Sequence, residues 1–520
     1  EQFGIRSLEF SPEFGFKLNG KKIFLQGNAN HHDLGALGAT CYDKAIERMM
    51  LQLKSFGYNC IRCSHNPYSD SFARIADRVG ILVVDELTDK WSDNDYWGGR
   101  QPFTHIWHKL ITEWIKRDRN RPSIILWSLG NELQIREGWA GFEGTNDWGI
   151  TTYNIFNQLV KRWDHTRLTT VAMFPARAGA ITRHDKEFND YLVPPELACA
   201  TEVASFNYQS DKYDAYLKYR PDLILFQSEA ETSNLLQPYY NMDKERMVGI
   251  AYWGSVEYWG ESNKWPKKGW NYSFFEHTMR PYPQAYLIKT AFMPEIPEVH
   301  IGVVDAAGAE SVSWNDVIVG RMALNECWNH TPGSRRSLFT FTNAHSVELL
   351  VNGQSMGIQK NDTTRANLRN MIYWKDVPYG NGGSVVAIAR DKSGKEVARH
   401  RIETAGKAVA LRIEAETPTD WKADGMDLQY INVTVIDKKG RPVWDYNEPL
   451  TLQMEGAARL VALDNGDHYT DELFHGITSK RMYQGRMQII LRSDQEAGNV
   501  TVKISSAGLK GTLRLKTIKE

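Results

Sequence analysis

Ile124-Ile-Leu-Trp-Ser-Leu-Gly-Asn-Glu132 begins as an apolar run and ends in an amide and a carboxyl. An unbroken apolar run is typical of a strand that is covered on both faces, as in a parallel sheet. Gly130 is expected to loosen the backbone where the run stops. Asn131 and Glu132 then stand at the carboxyl end of the strand, the end that carries the chemistry in a parallel α/β barrel. Glu132 is therefore a catalytic candidate, although a solitary Glu after a strand is more often a solvated residue that caps a helix.

Strand and helix patterns alternate on both sides of this stretch, from about residue 14 to residue 290. Segments with helical periodicity separate eight short, strand-like apolar runs. The predicted strands cover residues 23–27, 59–65, 81–86, 124–132, 168–174, 203–208, 223–229 and 248–253. Eight strands alternating with helices predict an α/β fold of the (β/α)8 TIM-barrel type.

The pattern changes after about residue 293, where prolines and a Gly/Ala-rich segment at 304–308 indicate a linker. The following sequence alternates polar and apolar residues, and turn sequences such as Asn352-Gly353 separate its runs. This pattern predicts two all-β, immunoglobulin-like sandwiches after the barrel. The predicted domains are a catalytic barrel at 1–295, a β-sandwich at 296–406 and an immunoglobulin-like β-sandwich at 407–520.

Composition excludes several classes of partner. The 520-residue chain carries 62 Lys and Arg against 63 Asp and Glu, so no basic excess indicates nucleic-acid binding. No stretch is apolar over the length of a membrane span, and the first residues do not resemble a signal peptide. We expect a soluble chain with neither nucleic acid nor a membrane span among its partners.

The five cysteines are too few and too scattered for a disulfide framework. Cys60 and Cys63 form a C-x-x-C, a spacing that redox and metal sites also use. Both lie on a predicted strand, where residues three apart point to opposite faces. We therefore expect them to be buried small hydrophobic residues.

Three of the predicted strands end in acids, which are Asp85 and Glu86 on the third, Glu132 on the fourth and Glu229 on the seventh. The fourth and seventh strands of an eight-stranded barrel lie on opposite sides of its mouth. Two carboxyls that face each other there suit glycoside hydrolysis, in which one protonates the leaving oxygen and the other attacks the sugar or activates water. A separation of about 5 Å gives retention of configuration and about 6.5–9.5 Å gives inversion.

Other polar and aromatic side chains follow the ends of the predicted strands. They are His31, His32, Asp33, Arg62, His65, Asn66, Asn207, Tyr208 and Trp253. Histidines beside carboxylates are one form of zinc site, but no H-x-x-x-H or comparable ligand spacing is present. We therefore expect a site without a metal.

These motifs resemble glycoside hydrolase family 2, the group of the β-galactosidases, β-glucuronidases and β-mannosidases. The segments that carry the resemblance in the barrel are residues 3–6, 16–20, 27–38, 59–67, 83–86 and 127–132. Residues 347–353 and 423–428 resemble the C-terminal modules of β-galactosidase-like members. The similarity thus extends over the barrel and into both predicted sandwiches.

The resemblance implies a retaining mechanism. It makes Glu132 the acid/base, held by Asn131, which in this family also contacts the sugar 2-hydroxyl. It makes Glu229 the nucleophile and Tyr208 its hydrogen-bond donor, with Glu231 as the alternative nucleophile. The sugar subsite would be lined by His31, Arg62, His65 and Trp253.

The chain departs from the family pattern in two places. It begins at the entry to the barrel, so we expect that an N-terminal jelly-roll and a first immunoglobulin-like domain are missing and that the full-length protein supplies them. The run that binds magnesium in β-galactosidases is not matched, since residues 84–91 read Val-Asp-Glu-Leu-Thr-Asp-Lys-Trp. We therefore predict no cofactor and no required metal.

The predicted activity is that of an exo-β-glycosidase acting on the β-linked end of an oligosaccharide or polysaccharide, and β-galactosidase is the first choice. β-Glucuronidase and β-mannosidase are the alternatives within the family. Lys264, beside Asn263, could pair with an acidic sugar, although a solvated lysine is the simpler interpretation. An inactive carbohydrate-binding or scaffold protein is the alternative of another class, and the intact pair of glutamates argues against it. Family habit suggests an extracytoplasmic location, periplasmic or secreted, and allows a homo-oligomer.

Overall fold

The structure is a computed structural model that describes residues 3–91, 103–133, 149–174, 193–262, 265–305, 310–314 and 317–519. The chain divides into two compact units. The first comprises Glu1–His32, Met50–Ser255 and Ser311–Arg321, and the second comprises Asp33–Met49, Val256–Glu310 and Met322–Glu520.

The first unit contains a closed barrel of eight strands. They are β1 Leu25–Asn30, β2 Cys60–Cys63, β3 Leu82–Glu86, β4 Ile124–Asn131, β5 Leu168–Met173, β6 Val203–Asn207, β7 Leu225–Ala230 and β8 Gly249–Trp253. Every neighbouring pair is parallel, and β8 pairs with β1 to close the barrel. The predicted TIM barrel is therefore confirmed.

Helices connect the strands. The described helices are Asp43–Ser55, Asp70–Val79, Phe103–Asp118, Ile150–Trp163, Glu196–Ala200, Tyr213–Tyr219, Gln237–Asn241 and Ala285–Phe292, with 3-10 turns at Gly35–Leu37 and Ser210–Lys212. The helix Asp70–Val79 shows how sequence sets their bounds. Ser69 caps it by accepting a hydrogen bond from the Phe72 amide, and Gly80 ends it in the left-handed conformation.

Strand β1 lies closer to the barrel mouth than the sequence predicts. The prediction ends at residue 27, whereas the strand runs from Leu25 to Asn30. Asn28 and Asn30 are only 1% and 5% exposed, so polar residues that resemble a loop are part of the barrel interior. Polar residues inside a barrel have no signal in an apolar pattern, which explains the shift.

Strand β4 is buried along its whole length, as its apolar run predicts. The pairing of β4 with β5 shifts between Ser128 and Asn131, so the strand is irregular around Gly130, and the left-handed conformation follows at Glu132, with φ of 48°. A Cβ on Gly130 would lie 2.6 Å from the Trp91 indole nitrogen, which donates to the Leu129 carbonyl at 2.7 Å. Gly130 is therefore needed for the close approach of Trp91.

The second unit contains two pairs of four-stranded sheets. In the first pair, one sheet has the strand order Leu324–Asn325, Val299–Val304, Arg335–Thr342, Met371–Pro378. The other sheet of that pair has the order Gln354–Lys360, Ser346–Val351, Ser384–Arg390, Glu396–Glu403. In the second pair, one sheet has the strand order Ala408–Ala415, Leu428–Asp437, Arg486–Ser493, Ala458–Asp464. The other sheet of that pair has the order Ser479–Arg481, Pro449–Gly456, Asn499–Ser506, Leu509–Lys516. Each pair encloses its own hydrophobic core, around Trp328 and Trp374 in one and Trp421 in the other. The all-β half of the fold class is confirmed, and the two boundaries between the three predicted domains stay predictions.

Three small sheets complete the described strands. One is an antiparallel sheet of three strands, Leu8–Ser11, Gly15–Leu18 and Lys21–Lys22. The other two are strand pairs, Tyr258–Trp259 with Gly269–Trp270 and Glu310–Trp314 with Val317–Arg321. The predicted Asn352-Gly353 hairpin is present, with positive φ at both residues and Val351 paired to Gln354. None of the helices that the structure describes has the length and apolar character needed to cross a membrane.

Cys60 and Cys63 are buried and free. Burial raises the pKa of the Cys60 thiol to about 12 and, with nearby acids such as Asp85, raises that of Cys63 well above its ordinary value. Thiols that stay protonated are poor nucleophiles and poor metal ligands. The interpretation of these cysteines as small buried hydrophobic residues is confirmed.

Candidate active site

The carboxyl ends of the barrel strands bring the predicted site residues to one mouth. The register places Asn207 of β6 beside Glu229 of β7 and Asn131 of β4 beside Ala172 of β5. Because all eight strands are parallel, the residues at their carboxyl ends share the same edge of the barrel.

Arg62, on β2, is the central cation of this mouth and is fully buried. Its guanidinium donates to Glu229 Oε1 at 2.7 Å, to Glu86 Oε2 at 2.6 and 3.0 Å, and to Asn131 Oδ1 at 3.0 Å. Burial alone would lower the pKa of Arg62, but the Glu86 and Glu229 carboxylates raise it above its ordinary value. The cation and its two carboxylates thus compensate one another in an environment from which water is excluded.

Glu86 and Asp85 are neighbours in sequence but belong to different environments. Burial would raise the pKa of Glu86, yet Arg62 and His65 lower it below the ordinary value. Burial and the Asp118 carboxylate raise the pKa of Asp85 well above its ordinary range, and Trp114 Nε1 donates to it at 2.6 Å. Adjacent residues of a strand point to opposite faces, so Glu86 belongs to the barrel mouth and Asp85 to the side of the helix Phe103–Asp118.

Glu229 is held by two donors. The Arg62 guanidinium binds Oε1, and the Tyr208 hydroxyl donates to Oε2 at 2.7 Å. Hydrogen bonds and a positive charge on a carboxylate favour its ionised form. The side chain is only 3% exposed, so its polar contacts are made with these partners rather than with solvent.

Glu132 has a different set of partners. Asn207 Nδ2 donates to its Oε1 at 3.1 Å, and its backbone amide donates to the Ala172 carbonyl at 2.7 Å. Glu132 and Tyr208 both have positive φ, 48° and 58°. Non-glycine residues in this conformation are strained and are enriched at functional sites.

A chain of hydrogen bonds joins the two glutamates. From Glu229 it passes through Arg62 to Asn131 Oδ1, then to Asn207 Nδ2, which also donates to Glu132. Since arginine only donates, the Asn131 oxygen must face Arg62, and its Nδ2 donates to Asp89 Oδ1 at 3.0 Å. Both carboxyls therefore border the same polar group of side chains.

Three aromatic rings adjoin these carboxyls. The rings of His65 and Trp253 are stacked, with centroids 5.2 Å apart and 10° between their planes. His31 meets both edge-on and donates from Nδ1 to the Ser64 carbonyl at 3.2 Å. Flat aromatic faces beside polar donors are typical of sites that bind sugar rings.

A lysine occupies the segment that the resemblance compares with a magnesium-binding run. Lys90 Nζ donates to Asp89 Oδ1 at 2.6 Å and to the Asn131 carbonyl at 3.1 Å. Burial would raise the pKa of Asp89, but His65 and Lys90 lower it to about 2. An ammonium group thus supplies positive charge at this point of the mouth.

All eight predicted site residues lie in the first unit and border this mouth. Glu231 does not join them, since its carboxyl is bound by Asn234 of its own loop. His32 stacks on Tyr68, and Asp33 accepts from the backbone amides of Gly35 and Trp259. Asn263 and Lys264 lie outside the described residues.

Two residues of the mouth were not among the predicted site residues. Glu86 binds Arg62, His65 and the Ser128 hydroxyl, and Asn207 binds both Asn131 and Glu132. Their position at the ends of the third and sixth strands is visible in the sequence. Which face each of them takes depends on a register that a sequence pattern defines only to within a residue or two.

Comparison with known proteins supports the same class. The model of the glycoside hydrolase family 2 TIM-barrel domain matches residues 13–246, and that of the family's C-terminal domain 5 matches residues 411–513. Residues 333–398 match a domain of unknown function, DUF4982. The chain belongs to glycoside hydrolase family 2.

Individual relatives cover nearly the whole chain. Beta-galactosidase BoGH2A of Bacteroides ovatus is 27% identical over 98% of this chain and 63% of its own length. A putative beta-glucuronidase of Formosa agariphila is 44% identical over 99% of this chain and 50% of its own length. The crystal structure of a family 2 member from Bacteroides cellulosilyticus has a TM-score of 0.86 and 28% identity, over 99% of this chain and 65% of that one. The chain thus spans between half and two thirds of the length of these relatives.

Proposed function

We propose that this chain is the catalytic part of a retaining exo-β-glycosidase. The observation that carries the proposal is the pair of buried carboxyls at one barrel mouth with different partners, Glu229 on Arg62 and Tyr208 and Glu132 on Asn207. In a double displacement one carboxylate must be anionic and the other must exchange a proton with the leaving group and with water. The donors around Glu229 suit the first requirement.

In this mechanism Glu229 attacks the anomeric carbon and forms a glycosyl ester. Glu132 protonates the departing glycosidic oxygen in that step and deprotonates water in the next, when water breaks the ester. Asn131 and Asn207 fix the direction of the acid/base and of the sugar hydroxyls beside it. His31, His65 and Trp253 form the wall against which the sugar ring lies.

We propose a β-galactoside as the first substrate, in keeping with the name of the Bacteroides ovatus relative. A β-glucuronide is the second candidate, because the relative at 44% identity is named a putative beta-glucuronidase. A β-mannoside remains the third. An extracytoplasmic location and a homo-oligomeric state are part of the same proposal, and cell fractionation and light scattering test them.

A panel of aryl β-glycosides tests the activity and the sugar together. The full-length protein that contains this chain would be assayed on galactoside, glucuronide and mannoside, with Glu229→Gln as the inactive control. NMR of the first product should show the β-anomer, as retention requires. Failure to hydrolyse any of the three, or a first-formed α-anomer, would overturn the proposal.

A further inference from the structure

The second unit contains a buried cluster of titratable side chains that the proposed glycosidase chemistry does not use. Glu257, His277 and His468 are only 1%, 4% and 4% exposed. One potential ligand atom from each lies within 4.8 Å of the others. Burial of such groups is costly unless charge or hydrogen bonds compensate for it.

The spacing of these atoms fits a tetrahedral metal ion. Glu257 Oε2 lies 3.1 Å from His277 Nδ1 and 3.0 Å from His468 Nε2. Zinc bonds of about 2.0–2.2 Å at tetrahedral angles place neighbouring ligand atoms about 3.3 Å apart. Two histidines and one glutamate are also a donor set that zinc uses.

Outer hydrogen bonds orient two of the three side chains toward a common point. His277 Nε2 lies 2.9 Å from Asp464 Oδ1, to which it donates, and Nδ1 lies on the side of Glu257, where a metal ion would take the place of a proton. The Tyr282 hydroxyl donates to Glu257 Oε1 at 2.6 Å and leaves Oε2 on the side of the histidines. A carboxylate behind a histidine is the usual support of a zinc ligand.

His468 distinguishes a metal site from a simple ion pair. Within the described part of the chain, neither of its ring nitrogens has a hydrogen-bond partner, although Nε2 lies 3.0 Å from Glu257 Oε2. If both nitrogens of His277 carried protons, the ring would donate to Glu257 and to Asp464, but His468 would still have no hydrogen-bond partner. A cation that accepts electron pairs from all three side chains would satisfy them together.

We propose that Glu257, His277 and His468 bind a zinc-class divalent metal ion, with Asp464 as the outer support of His277. The ion would link the segment that follows the barrel's last strand to the loop after Ala458–Asp464, since His277 and Asp464 are 187 positions apart. Binding at a site formed only on folding stabilises the folded unit. The proposed role is therefore structural and independent of the proposed glycosidase activity.

The same unit offers a matched control cluster, His300, Glu326 and His400. His400 Nδ1 accepts from the Ile301 amide at 3.0 Å, so the neutral ring carries its proton on Nε2, the atom that faces Glu326. Burial lowers the pKa of His400 to about 3, so the ring is neutral. The nitrogen that faces Glu326 therefore has no lone pair for a metal, and we expect no ion there.

The test is zinc binding to the chelator-treated full-length protein, measured by elemental analysis and by the shift of Tm with added zinc. We expect one tightly bound zinc per chain and a higher Tm. Glu257→Gln and His468→Gln should each weaken binding by about 100-fold or more, Asp464→Asn by about 10–100-fold, and His400→Gln should leave it unchanged. No zinc bound to the unchanged protein, or equal losses in His468→Gln and His400→Gln, would overturn the proposal.

Cobalt provides a second measurement that needs no variant. Co²⁺ added to the unchanged chelator-treated protein should give the visible absorption of a tetrahedral site, and zinc should displace it. X-ray absorption should then show two ring nitrogens among the ligands. An octahedral spectrum, or a coordination shell without imidazole, would exclude this site even if the variants fail to fold.

Discussion

Glu229 and Glu132 stand at the ends of two barrel strands, and both are almost fully buried, but they are held in different ways. Glu229 accepts hydrogen bonds from the Arg62 guanidinium and the Tyr208 phenol, whereas the side chain of Glu132 accepts one from the Asn207 amide. A neutral amide stabilises a carboxylate less than a cation does. The proposed mechanism gives the nucleophile role to Glu229, the carboxyl bound by the cation, and the proton-transfer role to Glu132, so under that proposal the partners rather than the residue type separate the two functions.

Glu229→Gln should have the largest effect. Loss of the nucleophile should reduce kcat/KM on the best aryl β-glycoside on the order of 10⁴-fold or more, because an amide cannot form the glycosyl ester. Steady-state kinetics measures the loss, and calorimetry should show that the sugar still binds. Glu231→Gln is the matched control and should stay within about threefold of the unchanged enzyme. Equal losses in both variants would contradict the assignment.

Glu132→Gln should lose less activity than Glu229→Gln, and the size of the loss should depend on the leaving group of the substrate. On a 4-nitrophenyl glycoside we expect about 10²–10⁴-fold, the usual contribution of a general acid or base. On a dinitrophenyl glycoside the formation of the glycosyl-enzyme should be reduced far less, because that leaving group hardly needs a proton. Pre-steady-state kinetics on both substrates checks this, and losses independent of the leaving group would remove Glu132 from the acid role.

Tyr208→Phe removes only one of the two donors to Glu229. A hydrogen bond to a charged group contributes about 1.5–3 kcal/mol, so kcat should fall about 10–100-fold. Tyr153→Phe is a matched control, because its buried hydroxyl bonds to Thr169 in the same unit, at 2.7 Å, and not to either glutamate. If the two variants lose the same activity, the Tyr208 hydroxyl serves stability rather than the nucleophile.

Asp85→Asn tests the contrast between Asp85, whose pKa is raised by burial, and Glu86, whose pKa is lowered by its partners. The raised pKa of Asp85 means that its contribution to stability is complete at low pH and is lost as the pH rises from its unfolded pKa to its folded pKa. The free energy of unfolding of the asparagine variant, relative to that of the unchanged protein, should therefore rise by about 1.4 kcal/mol per pH unit across that window. Urea unfolding at about pH 5 and about pH 7.5 measures the gain.

Glu86→Gln is the opposite control on the adjacent residue. Arg62 and His65 lower the pKa of Glu86, so its charged form contributes stability above its unfolded pKa and loses that contribution as the pH falls. The glutamine variant should be the less stable one, and its deficit should be larger at about pH 7.5 than at the acidic end of the titration. The same pH trend in both variants would contradict the division between the two faces of β3.

Much of the fold was predictable because its signals are local. Helical and strand periodicities gave eight barrel strands in the right order, and the Asn352-Gly353 turn gave a hairpin of the sandwich region. The errors fall where local signals fail. Asn28 and Asn30 extend β1 although they are polar, and the close approach of Trp91 to Gly130 has no signal in the neighbouring sequence.

The candidate site was predictable in part. Strand direction placed the acids at one mouth, but a strand end shows two neighbouring acids, Asp85 and Glu86, without showing which of them faces Arg62. Nothing in the sequence brings His277 and His468 to Glu257, because these residues lie on separate segments without a ligand spacing.

By itself, the sequence determined that this chain forms a parallel barrel with Glu132 and Glu229 at its carboxyl end, because periodicity and strand direction are properties of neighbouring residues. Only the tertiary structure decided what holds each carboxyl. Arg62 and Glu229 are 167 positions apart, and they meet because the barrel closes. A carboxyl takes its chemical character from its partners, and partners that far apart in the chain are chosen by the fold.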